Sequence, residues 1–140
     1  MKAKIEQYTA VRKGKLIPVG ENKRFVRFES KVRLTLDEVL VDGCVFPPEQ
    51  KPRRCDFLVI VDNEYYFIEC KGSKVLSGLE QLEITVKALK GLGFKQCHAL
   101  LVCSKVPGTV RQGIQNAKVK FRDKLKAKLR VESQPIIVKL

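Results

Sequence analysis

The amino-acid sequence predicts an α/β fold, and three observations carry that expectation. Two apolar strand-like runs, Cys55 to Val61 and Tyr65 to Lys71, flank the turn-forming pair Asp62-Asn63. Apolar residues then recur at helical spacing at Leu79, Leu82, Val86 and Leu89. A short apolar run, Gln96 to Ser104, reads as a buried strand directly after that helix.

The first 34 residues offer less. Thr9 to Val19 is compatible with a hairpin turning at Lys13-Gly14, and Phe25 to Phe28 with a short strand. From Thr35 the pattern Thr-x-x-Glu, with Leu36, Val39 and Leu40, predicts a capped short helix stopped by Gly43. Pro47, Pro48 and Pro52 enforce an extended loop ahead of the hairpin. Gly72 and Gly78 bracket a loop, and Gly91 and Gly93 end the following helix.

Beyond Pro107 two periods compete. Thr109 and Gln112 make a capping box, and Val110, Ile114, Ala117, Phe121 and Leu125 form an apolar stripe at steps of three and four. From Lys118 to Val131, basic and apolar residues also alternate at period two, a strand pattern. Helix over about 109–130 is favoured, because Lys, Ala, Leu and Arg are good helix formers and a strand of ~14 residues is unusually long. Pro135 to Leu140 reads as a closing strand.

A chain of 140 residues fits one domain and hence one active site. No apolar run approaches the ~18 residues of a membrane helix, and the N-terminus lacks the apolar core of a secretory signal, so a cytoplasmic protein without membrane contact is expected. Five cysteines, an odd number without a CxxC pair, argue against a disulfide framework or zinc ribbon and for reduced, mostly buried thiols. His98 is the only histidine and lies inside an apolar run. That excludes a His-rich metal site and favours a satisfied strand histidine.

The net charge of +13 is unevenly spread. Residues 1–34 hold ten Lys/Arg against three Asp/Glu, and residues 105–140 hold ten against two, whereas residues 35–72 hold four against eight. Basic flanks attract a nucleic acid, and a locally acidic segment suits a divalent cation. Seven Lys/Arg between Lys118 and Arg130 against one acid make Lys118, Arg122 and Lys126 candidate nucleic-acid contacts.

The acidic segment contains the candidate chemistry. If Asp62-Asn63 forms a two-residue loop, Val61 faces Glu64 and Asp56 lies across from Glu69, with Cβ atoms about 4.5 to 5.5 Å apart. Lys71 joins them on the same face. Paired carboxylates repel unless a cation sits between them, and oxygen ligands suit Mg²⁺ or Mn²⁺. The lysine then orients water or neutralises charge on a phosphate, the inventory of phosphodiester hydrolysis.

The string Cys55-Asp56-Phe57-Leu58-Val59 through Ile68-Glu69-Cys70-Lys71 resembles the PD-(D/E)xK nuclease superfamily. The match covers roughly Pro52 to Ser104. The resemblance implies a restriction-endonuclease-like core, a mixed central sheet flanked by helices. It also implies a metal held by Asp56, Glu69 and the Cys70 carbonyl, with Lys71 as the catalytic lysine. Gln81 corresponds to a glutamine that several members place near the metal, although the tyrosine some carry four residues later is Thr85 here. Cys55 replaces the motif's proline. Many members add an acid from upstream, for which Glu38 and Glu29 both qualify. The expected activity is Mg²⁺-dependent endonucleolytic cleavage of DNA rather than RNA, structure-selective or belonging to a mobile-element or defence system. A homodimer would supply two sites for two strands. The competing expectations are a non-catalytic nucleic-acid-binding or assembly module on the same fold, and a ribosome-associated basic protein.

Overall fold

The computed structural model describes residues 1–140, whose elements form one mixed seven-stranded sheet with three helices. In chain order they are α1 (Lys2–Gln7), β1 (Thr9–Gly20), β2 (Phe25–Leu40), β3 (Phe57–Val61), β4 (Glu64–Lys71), α2 (Val75–Ala88), β5 (Cys97–Cys103), α3 (Arg111–Lys120), β6 (Ala127–Ser133) and β7 (Ile136–Lys139). Neighbours run β1-β2-β3-β4-β5-β6, and β7 pairs with β2. The pairs from β1 to β4 are antiparallel, whereas β4-β5, β5-β6 and β2-β7 are parallel. A parallel pair cannot be joined by a tight turn, and α2 supplies the crossover between β4 and β5.

Strands β3 to β5 sit mid-sheet and are buried on both faces, which is why their sequence is nearly continuously apolar. All three helices cover one face. Leu79, Leu82 and Val86 of α2 and Ile114 of α3 pack there with Leu58, Phe67, Ala99 and Leu101. The opposite face is covered by strands. Ile17, Val19, Val26, Phe28, Ile136 and Val138 close over Val59, Tyr66, Ile68, Leu100 and Val102. A register shift between Gly14 and Leu16 marks where β1 bends, so that β2 serves β3 with residues 37–40 and β7 with residues 26–29.

Four expectations need correction. Residues Thr9 to Val19 form one strand, and the first hairpin turns at residues 21–24. Thr35 to Leu40 is strand, not helix. Leu34 and Leu36 are buried at period two while Arg33 and Thr35 are exposed, and flanking strands on both sides outweigh the local Thr-x-x-Glu preference. Helix α2 starts at Val75, with Gly78 inside it. The helix that begins at Arg111 continues as a wide π turn, Phe121–Leu125, and stops at Lys126, whose φ of 54° is left-handed. Strand β6 follows, so both periods in the tail are real but occupy successive segments. The apolar stripe faces the core as expected, with Ile114, Phe121 and Leu125 buried, but Thr109 makes no side-chain cap.

No helix is long and apolar enough to cross a membrane. All five cysteines are free thiols, and only Cys44 is more than slightly exposed.

Candidate active site

The turn Asp62-Asn63 has two residues, both with left-handed φ (50° and 63°), as a tight hairpin twisted like its strands requires. Val61 faces Glu64 and Phe57 faces Ile68. Asp56 lies one residue before β3, at the open end of this hairpin. Its backbone N–H donates to the Glu69 carboxylate at 3.0 Å, and its own carboxylate accepts the Cys70 N–H at 3.0 Å. The two acids thus clasp each other's strand. Lys71 Nζ stands 3.3 Å from the second Glu69 oxygen. Three of the four residues singled out as catalytic therefore converge.

The pair is buried where charge is costly. Glu69 is 1% exposed. Burial foremost, and then the Asp56 carboxylate, push Glu69 up to about 8, against the opposing pull of Lys71. Burial also raises Asp56, with the backbone hydrogen bond from Cys70 acting against it. Burial likewise lifts the Cys70 thiol to about 12. Two closely placed carboxyl groups whose ionised forms lack sufficient counter-charge fit a divalent cation, since an ion between them would offset both penalties.

Helix α2 fixes the segment leading into Asp56. Thr85, fully buried, accepts the Cys55 N–H at 2.8 Å and donates to the Gln81 carbonyl at 2.7 Å. Gln81 donates its side-chain amide to the Arg54 carbonyl at 3.1 Å. Gln81 and Thr85 thus hold two consecutive residues just upstream of Asp56. The polar pair on α2 was half legible in sequence: Gln81 stood out, whereas Thr85 looked like the loss of a tyrosine.

Gly78 lets α2 approach the sheet beside the lysine. A Cβ at this position would meet Leu101 Cδ1 at 2.7 Å and Lys71 Cγ at 3.0 Å. The lysine's stem is packed against a helix.

The upstream acids are placed differently from expectation. Glu38 faces Val59 in β2 and is held by Arg12 at 2.8 Å. Val41, three residues further on, is the β2-side residue that bonds the Asp56 backbone. Glu29 pairs with Arg27 at 2.7 Å, near β7. Neither is brought to Asp56. Glu21, in the first hairpin's turn, is: its carboxylate, that of Asp56 and Cys70 Sγ lie within 4.8 Å of one another. Arg24 orients Glu21 at 2.7 Å and also donates to Ser104 Oγ at 3.0 Å, tying the first turn to the end of β5. The Gly20-Glu21-Asn22 string is the signal that could have found it, since it is turn chemistry between two strands.

No family model, curated protein or solved structure matches this chain.

Lys118, Arg122 and Lys126 lie elsewhere. They line a cavity together with Cys97 and His98 at the start of β5. Tyr66 pairs with His98 and Glu69 with Leu101, so the cavity and the carboxylates are separated by three residues of β4, about 10 Å along the strand. The cations that flank the carboxylate end are Arg24 and the exposed Lys74 and Lys105, the last bonded through its backbone to Gly72. His98 is satisfied as expected of a strand histidine. It stacks on Tyr66 at 4.4 Å and stands 3.4 Å from Glu64.

Proposed function

We propose that this chain is a divalent-metal-dependent endonuclease of DNA, built on a restriction-endonuclease-like core of the PD-(D/E)xK type. The observation that carries the reading is the mutual clasp of Asp56 and Glu69 across the hairpin end, with Lys71 on the same carboxylate. The order of hairpin, helix and parallel strand around it supports the same reading.

Asp56 and Glu69 would hold Mg²⁺ or Mn²⁺, joined by the Cys70 carbonyl and, from the first turn, Glu21. A bound ion of this kind polarises phosphate and makes water more acidic. The chain's own groups do the rest. Lys71 brings a positive charge to within 3.3 Å of Glu69, where it offsets charge on an entering phosphate and orients a water for attack. Thr85 and Gln81 keep Asp56 in register, so the ligand set is assembled before substrate arrives. The +13 net charge draws the polyanion and weakens its grip as salt rises. Cutting both strands of a duplex needs two such sites, which favours a homodimer.

The deciding experiment compares the parent and Asp56→Asn with supercoiled plasmid, in Mg²⁺, Mn²⁺ and chelator. The substitution removes one charge at nearly constant shape. Cleavage should vanish, while DNA binding in chelator stays at least as tight, because repulsion of the phosphate is reduced. Nicking by Asp56→Asn near the parental rate would sink the assignment. A parent that binds DNA but neither metal nor cleaves would favour a non-catalytic binding module on this fold.

A further inference from the structure

We infer that the cavity at the start of β5 and β6 is a second, non-catalytic nucleic-acid site that takes a single-stranded segment, one or two nucleotides deep. Its volume is about 540 Å³, the size class of pockets for small organic ligands rather than for the side of a duplex. The inference rests on the nuclease reading for the identity of its ligand and deepens it, since it names substrates that carry an unpaired strand.

Four cations line the cavity, Lys118, Arg122, Lys126 and Lys128, against one acid, Glu64. Glu64 faces His98. Arg122 is engaged by the neighbouring Asp123 at 2.8 Å and Lys126 by the Asp123 carbonyl at 3.3 Å. Lys118 and Lys128 make no ion pair, so two uncompensated ammonium groups face the space. That is the requirement for gripping phosphates. The rest of the wall suits a base. Val119 and Leu129 give apolar surface, and His98, held by its stack on the buried Tyr66, adds an imidazole ring to the wall. Gln96 and Gln115 bring side-chain amides that make no hydrogen bond within the protein, and an amide can donate to and accept from a base edge. A bare anion site has no use for that apolar and amide lining.

The cavity lies about 10 Å along β4 from Glu69, so a strand held here is cut close to the point at which it is held. A flap or branch whose free strand enters the cavity would present its duplex part to Asp56 and Glu69.

The test measures binding of a labelled oligo-dT of about ten nucleotides, in chelator, by fluorescence anisotropy. Lys118→Ala with Lys128→Ala should weaken it about tenfold. Val119→Trp, on an exposed helix face, fills the cavity without changing charge. It should weaken oligo-dT equally while leaving duplex binding unchanged. Thymidine monophosphate should compete better than inorganic phosphate. Undiminished oligo-dT binding in both variants would overturn the site, and equal competition by inorganic phosphate would overturn its nucleotide character. Because no cleavage is read, the outcome separates from that of the nuclease reading. A protein that cuts through Asp56 but ignores the cavity variants refutes only the cavity. One that binds oligo-dT through the cavity but never cuts refutes only the nuclease.

Discussion

Thr85, in the middle of α2, accepts the backbone N–H of Cys55 at 2.8 Å, one residue before the acid on which the proposed chemistry depends. The hydroxyl is fully buried and no water competes for it. Replacing it therefore tests whether the helix positions Asp56. Thr85→Val strands the Cys55 N–H, which costs about 1 to 3 kcal/mol of stability. Cleavage by the folded fraction should fall at least tenfold, and Thr85→Ser should restore most of it. A Thr85→Val protein that is less stable but fully active per folded molecule would reduce Thr85 to a structural residue.

Gly78 gives a steric version of the same question. Adding a methyl drives against Leu101 and the Lys71 stem, and overpacking of this kind costs about 1 to 3 kcal/mol. The intrinsic helix gain of alanine over glycine, about 1 kcal/mol, offsets only part of it. Gly78→Ala should move Lys71 off Glu69. The expected signature is a lower turnover with metal affinity near that of the parent, read by plasmid nicking and Mn²⁺ titration. Unchanged turnover would mean that Leu101 alone yields.

The proton affinity of Glu69 makes stability depend on pH. Its folded value of about 8 stands above its ordinary 4.5, so the folded state holds that proton more tightly than the unfolded chain. The stabilisation is complete below about 4.5 and is lost as pH rises through about 8. In chelator, the unfolding free energy from urea titration should drop between pH 5 and pH 8 by an amount on the order of a few kcal/mol, with the midpoint falling in proportion. Glu69→Gln should flatten the profile, and Mn²⁺ should restore the parent at the alkaline end. A parent with equal midpoints at both pH values would refute the buried-pair electrostatics.

Glu21 stands where the sequence led to an expectation of Glu38 or Glu29, and calorimetry can separate Glu21 from Glu38. Glu21→Gln should weaken Mn²⁺ binding several-fold, because its carboxylate shares the 4.8 Å cluster with Asp56. Glu38→Gln should leave metal affinity unchanged and cost at most about 1 kcal/mol, from loss of the half-exposed pair with Arg12. The reverse pattern would return the ligand to β2.

What was legible follows from how local each signal is. The hairpin could be read because Asp62-Asn63 fixes a register that propagates to Asp56 and Glu69 without reference to the rest of the chain. The helical stripe of α3 was visible for the same reason. Residues 35–40 misled because the Thr-x-x-Glu pattern is local, whereas their strand state comes from β1 on one side and β3 on the other. The end of the tail helix was hidden because Lys126 takes the left-handed turn that glycine ordinarily marks. Glu21 was out of reach once the first hairpin was turned at Lys13-Gly14, since the correct turn alone sets it beside Asp56.

The pairing of Val26 with Ile136 and Phe28 with Val138 has a kinetic meaning. These contacts join segments at opposite ends of the sequence, and closing so long a loop must precede any gain from it. Until β7 docks, Phe28 and Tyr66 are covered on one side only, and the sheet face under Ile68 and Cys70 stays open. The β3-β4 hairpin, with its two-residue turn, forms early and carries its acids with it. Folding should therefore show a rapid phase in the helix-covered half and a slow one in which the strand-covered face seals, and Glu69, which shares the helix-covered face with Phe67 and Lys71, acquires its buried environment in the first.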